Sequence, residues 1–340
     1  MKNKKWIALA AAVVLAVTAL PMGVFAAKKD STEEKLTKVT LNEVAHSIFY
    51  APQYVAIEEG YFAEKGLDLT LVTGFGADKT MTAVISGEAD IGFMGAEASV
   101  YAYQEGAMDP VVNFAQLTQR AGNFLVAREE MPDFKWEDLK GEKVLGGRKG
   151  GMPEMVFEYI LKKNGIDPQK DLTIDQSIDF GSTAAAFTSD DSAAYTVEFE
   201  PSATILEKEG AGYVVASLGE ASGYVPYTSY STKASYMKEN PEIIQKFTDA
   251  LQKGMDYVQN HTPEEIAEVI APQFKETDLE TITAIVKRYY DQDTWKENLI
   301  FEKDSFELLQ DILEDAGELT DRTAYENLVQ TEYAQKACKN

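Results

Sequence analysis

The residues best able to do chemistry in this 340-residue sequence are carboxylates, arginines and tyrosines beside glycines, where strand-like segments give way to helices. Gly146-Gly147-Arg148-Lys149-Gly150-Gly151-Met152-Pro153 holds four glycines just before a helix. Such glycines let the backbone approach a ligand, and the free N–H groups of a helix start suit an anion. The Gly-Lys-Ser/Thr ending of a nucleotide-phosphate loop is absent, so nucleotide hydrolysis is not supported. A glycine-rich surface turn is the plain alternative. Gly95-Ala96-Glu97 also opens a helix. Its N–H groups would suit a carboxylate, sulfonate or phosphate, whereas Glu97 would either complement the helix dipole or accept from a ligand amine.

Other candidates stand at further strand ends. Arg120, after Thr118 and Gln119, would clamp an acidic group bidentately or form an exposed ion pair. Glu198-Phe199-Glu200 puts two carboxylates together, which is poor company for a sulfonate or nitrate. One of the two could instead cap the helix that begins at Pro201. His46 would donate to an anion, stack on a ring, or serve the local backbone. Phe49 and Tyr50 line the same edge or enter the core. Of Tyr224, Tyr227 and Tyr230, at least one is expected to face a ligand, with Tyr227 the candidate named here.

Composition narrows the classes. The chain carries 32 Lys+Arg against 56 Asp+Glu, a net charge of −24. That balance argues against a nucleic-acid binder and against docking on an anionic membrane. The single cysteine, Cys338, excludes an internal disulfide and any Cys-rich metal site, and two histidines leave little for a His-based metal centre. No cofactor is therefore expected. Hydrophobic residues make up 45%, enough for a large core.

The N-terminus reads as an address. Lys2, Lys4 and Lys5 precede an apolar run from Trp6 to Leu20, and Val24-Phe25-Ala26 offers a cleavage site. The run is shorter than the ~20 residues of a membrane span. Residues 1–26 are thus expected to be a signal peptide and 27–37 a flexible tether, with export to the periplasm or cell surface.

These candidate groups need elements to hold them. Leu67–Val72 alternates as a strand does, while Asp78–Ser86 and Ala96–Gln104 are helical and close on glycine. Tyr50–Glu64 carries apolar residues at helical spacing. Phe124–Ala127, Lys143–Leu145, Leu172–Asp175, Ala193–Val197 and Tyr213–Ala216 read as strands between helices. The chain then turns helical: Asn240-Pro241-Glu242 opens a helix to about Asn260, Thr262-x-x-Glu265 is a capping box, and helices are expected from Thr277 or Asp278 to Tyr290 and over Ser305–Ala316 and Thr323–Ala337. Alternation of this kind implies parallel sheets with ligands at the carboxyl ends of their strands.

Three segments carry a family resemblance. Ala45-His46-Ser47-Ile48-Phe49-Tyr50-Ala51-Pro52-Gln53-Tyr54-Val55-Ala56 runs on to Glu59-Gly60-Tyr61-Phe62 and Lys65-Gly66-Leu67-Asp68. Ala83-Val84-Ile85-Ser86-Gly87-Glu88-Ala89-Asp90-Ile91-Gly92 follows, and then Glu198-Phe199-Glu200-Pro201. Together they resemble the solute-binding proteins of ABC importers for nitrate, sulfonates, taurine and thiamine pyrimidine precursors.

That resemblance implies an α/β, two-lobed type II periplasmic-binding fold with a helical C-terminal extension. Lobe 1 is expected over 38–122 plus 232–340, and lobe 2 over 123–231. It implies a small-molecule ligand captured by hinge closure, an ABC permease as partner, a monomer, and no catalysis. In pyrimidine-binding relatives a carboxylate near Glu198 pairs with the aminoheterocycle, which favours a nitrogen-bearing ligand over a sulfonate, taurine or nitrate. Relatives from bacteria with one membrane carry a cysteine at the cleavage site; Ala26-Ala27 stands there in this chain. Some relatives are pyrimidine synthases, whose chemistry needs a Cys/His cluster that this sequence lacks. The ligand set expected on these grounds is His46, Tyr50, Gly95, Ala96, Glu97, Thr118, Arg120, Arg148, Gly150, Met152, Glu198, Glu200 and Tyr227.

Overall fold

The computed structural model describes residues 35–178 and 180–339. The expected signal peptide and residues 27–34 of the expected tether lie outside them. Among the described residues, ten strands form two sheets of five. In chain order they are β1 Thr37–Glu43, β2 Leu67–Thr73, β3 Ile91–Met94, β4 Val111–Thr118, β5 Asn123–Ala127, β6 Lys143–Leu145, β7 Thr173–Asp175, β8 Tyr195–Phe199, β9 Tyr213–Ser217 and β10 Thr228–Lys233. The first sheet has the order β2-β1-β3-β10-β4 and the second β7-β6-β8-β5-β9. One strand in each is reversed against its neighbours: β10 pairs antiparallel with β3 and β4, and β5 with β8 and β9. The chain crosses from the first sheet to the second between Thr118 and Asn123, and returns to β10 after the helix Leu218–Ser222.

Local sequence accounts for much of this. The helix Ala77–Ser86 stops at Gly87, whose φ of +81° is a left-handed conformation most residues avoid. Thr262 and Glu265 form the reciprocal capping box of the helix Pro263–Ile270. All eight residues of β4 are buried, as expected of a strand covered on both faces. Its outer edge is occupied by later chain: Gln116 N–H donates to the Leu299 carbonyl and Gln119 N–H to that of Thr294, both at 2.9 Å. Tyr230 stacks on Phe93 at 4.2 Å in the core between β10 and β3, and its hydroxyl donates to Gln53.

Two expected helices are broken. The segment expected as one helix over Tyr50–Glu64 is divided into Ala51–Glu58 and Tyr61–Glu64 by Gly60, which sits at φ +73°. The helix expected over Thr323–Ala337 is two short turns, Tyr325–Leu328 and Glu332–Ala337. Between them Val329 bridges to Asn113 of β4, and Gln330 N–H donates to the Asn113 carbonyl. A strand edge more than two hundred residues away outweighs local helical spacing there. Among the described residues, no helix is long and apolar enough to cross a membrane.

Candidate ligand-binding site

The carboxyl ends of strands from both sheets meet around Glu97. This residue opens the helix Glu97–Gln104 after β3, and it is 4% exposed. Its carboxylate folds back over Gly95: a Cβ at Gly95 would come within 2.1 Å of Glu97 Oε2, so a side chain there would push the carboxylate aside. The carboxylate accepts its own backbone N–H and that of Met152, which starts a helix after β6 of the second sheet. One turn on, the Tyr101 hydroxyl reaches the Gly150 carbonyl at 3.5 Å and Met155 Sδ at 3.6 Å. The Gly95–Glu97 segment of one sheet and the Gly150–Met152 segment of the other are thus in contact. Glu97 Oε2 has no hydrogen-bond partner among the described residues, and burial pushes the carboxyl up to about 7.

Aromatic rings wall the same region. Tyr50 packs edge-on against Phe93 at 4.5 Å, and Phe49 packs edge-on against Tyr227 at 5.6 Å and lies 6.4 Å from Phe199. The Tyr227 hydroxyl is buried and without a hydrogen-bond partner among the described residues. Burial holds its pKa well above the ordinary value, with the charge of Glu97 adding to the effect. Of the three tyrosines considered from sequence, Tyr230 is core and Tyr224 is exposed, its hydroxyl donating to Asp293 at 2.6 Å.

At the end of β8, Glu198 is fully buried. The Thr196 hydroxyl donates to its Oε1 at 2.6 Å, and Thr183 supports the same carboxyl. Oε2 is left without a partner among the described residues, and burial raises this carboxyl to about 7 as well. Among the described residues neither Glu97 nor Glu198 has a cation beside it: the groups that steady them are backbone N–H and hydroxyl. Asn123, which the sequence reading missed, opens β5 at full burial with neither amide atom partnered among the described residues. The signal available for it was a polar residue heading the apolar run Phe124–Ala127 at the expected crossover.

Several expected residues are engaged elsewhere. His46 Nδ1 lies 2.8 Å from Glu43 and its Nε2 lies 3.0 Å from the Gln273 carbonyl; the bond to Glu43 raises its pKa. Thr118 Oγ1 meets Thr228 Oγ1 at 2.5 Å and accepts the Thr228 N–H, joining β4 to β10. Arg120 donates to the Gly219 carbonyl at 3.1 Å and lies over the Tyr224 ring at 4.2 Å. Arg148 is 61% exposed and reaches Asp78 at 3.5 Å. Glu200 accepts from Thr204 N–H and from Arg288 at 2.6 Å, which is the helix-capping alternative for this residue. Ala96 is fully buried beside Glu97. An open groove of about 450 Å³ lies between β9 and the helix Leu279–Asp291. Its Arg288 is already paired with Glu200 and Glu207.

Residues 48–266 match the NMT1/THI5-like family, and the chain belongs to it. "Putative binding protein YtlA" of Bacillus subtilis is 47% identical over 312 residues, 92% of this chain and 93% of that one. The riboflavin-binding protein RibY of Chloroflexus aurantiacus is 25% identical over 68% of this chain and 65% of its own. Among solved structures, the alkanesulfonate-binding protein SsuA of Xanthomonas axonopodis, bound to MOPS, superposes with a TM-score of 0.69 at 15% identity, covering 87% of this chain and 99% of that one. The fold is therefore the two-lobed α/β periplasmic-binding fold.

Proposed function

We propose that the protein captures a small nitrogen-bearing organic solute, of the aminoheterocycle kind, between its two lobes and presents it to an ABC permease. The lobes are 38–122 plus 232–340 and 123–231, and they turn about the two connections between the sheets. The observation that carries this reading is the pair of buried carboxylates, Glu97 and Glu198, each with an open oxygen and neither with a cation among the described residues. Buried acceptors of this sort are costly until a donor arrives. A ligand that brings N–H groups supplies those donors; a sulfonate or nitrate would bring only more acceptors. The arginines an anion would need are held at Gly219 and Asp78. The riboflavin named for RibY is itself a nitrogen heterocycle. The protein acts by binding rather than turnover, as an exported monomer.

Thermal unfolding of the chain lacking residues 1–26 tests this. The panel holds 4-amino-5-hydroxymethyl-2-methylpyrimidine, riboflavin, taurine, an alkyl sulfonate and nitrate. At a hundred times Kd a ligand adds about 2.7 kcal/mol to stability, a shift of several degrees at this size. A shift with nitrogen heterocycles alone supports the reading. A shift with sulfonates or nitrate alone overturns it.

A further inference from the structure

Asn123 is the first residue of β5, just past the passage from the first sheet to the second. Its backbone belongs to the sheet, in register with Phe199 of β8. Directly opposed residues of an antiparallel pair share one face. The Asn123 side chain therefore stands on the face that carries Phe199, whose ring neighbours Phe49 and, through it, Tyr227. The side chain is fully buried, yet both Nδ2 and Oδ1 have no partner among the described residues. Buried side-chain amides are ordinarily hydrogen-bonded. A carboxylate with one open oxygen needs only a donor, whereas an amide with both atoms open needs a donor and an acceptor side by side.

We propose that Asn123 reads a donor–acceptor edge of the captured solute. Its Oδ1 accepts from an N–H of the ligand while its Nδ2 donates to the adjacent ring nitrogen or carbonyl oxygen. This deepens the reading above and rests on it. Aminoazines, pyrimidinones and carboxamides present such an edge; nitrate, sulfonates and simple amines do not. Glu97 selects for donors in general, and Asn123, on the face of Phe199, selects for the pattern. A site that hydrogen-bonds a ligand group rejects the analogue lacking it by large factors, because its own groups are then left unpaired.

Calorimetry with three probes tests the assignment: 4-amino-2-methylpyrimidine carries the edge, 2-methylpyrimidine carries only acceptors, and benzylamine carries only donors. The wild-type chain is expected to bind the first at least roughly tenfold more tightly than the others. Asn123→Leu, nearly the same size, is expected to erase that preference. An unchanged preference in the variant overturns the edge-reading role, and the general reading still stands if Glu97→Gln weakens the two amine-bearing probes. If no probe binds the wild-type chain, the nitrogen-heterocycle reading falls and this inference falls with it. A second measurement needs no ligand. Replacing an unpaired buried amide with an apolar group of similar shape leaves the thermal midpoint of the empty protein unchanged or raises it. A drop of several degrees would show Asn123 to be a structural hydrogen-bonding residue and would overturn the proposal independently.

Discussion

Two buried glutamates in the same lobe have opposite surroundings. Glu43, at the end of β1, is fully buried, and its carboxylate meets His46 and takes donors from Gln53, Tyr54 and Thr73 at 2.8 to 3.2 Å. Glu97, after β3, is almost as buried, but it has two backbone N–H groups and one open oxygen. The protein completes the first carboxylate by itself and leaves the second incomplete. The same contrast recurs within three residues of the other lobe. Glu200 caps a helix and pairs with Arg288, while Glu198 has hydroxyls and an open oxygen. A buried carboxylate that the fold satisfies is scaffold; one that the fold leaves open is the place we propose for a ligand's donors.

That comparison can be broken most sharply at Glu43. Glu43→Ala strands His46, Gln53 and Tyr54 around a cavity and is expected to cost roughly 3 kcal/mol or more, read as a fall in the urea midpoint. Glu200→Ala removes a cap and leaves Arg288 without one partner, for an expected loss of about 2 kcal/mol. The matching changes at the open carboxylates should behave in reverse: Glu198→Gln is expected to keep or raise stability while weakening solute binding by tenfold or more. Equal losses of stability at Glu198 and Glu200 would abolish the distinction between them.

The pH dependence sharpens the contrast. Burial lifts Glu97 and Glu198 from about 4.5 to about 7 in the folded chain. The folded state then holds more protons than the unfolded state between those values, so stability of the empty protein falls as pH rises from about 4.5 to 7. The raised pKa values of Glu154, Glu200 and His46 contribute in the same direction. The double change Glu97→Gln with Glu198→Gln is expected to flatten that slope, measured as thermal midpoint against pH. The smallest effect is expected at Arg148→Ala: its exposed ion pair with Asp78 is worth less than about 0.5 kcal/mol, and solute affinity should stay within twofold.

Much of the fold was legible because its signals are local. Alternation marked β2, and left-handed glycines at Gly66 and Gly87 marked the ends of the helices before and after it. What was illegible depended on partners far along the chain. Nothing near Val329 announces that it will bridge to Asn113 and split a helix. Nothing in Glu198-Phe199-Glu200 says which carboxylate meets Arg288, 88 residues on. Glu97 and Tyr227 were legible as candidates because strand-end and crossover position limits where they can point. Asn123 was passed over because its amide is informative only through the partners it lacks, and these depend on the packing of both lobes.

The central claim is that the open carboxylate, not the completed one, receives the solute. It is tested most directly by titrating the strongest-binding nitrogen heterocycle of the panel into the wild-type protein and Glu97→Gln in parallel by calorimetry, with thermal midpoints recorded on the same samples. Glu97→Gln is expected to lose roughly a hundredfold in affinity with a midpoint equal to or above wild type. Wild-type affinity in Glu97→Gln, or a loss of binding that merely follows a loss of folding, would contradict it.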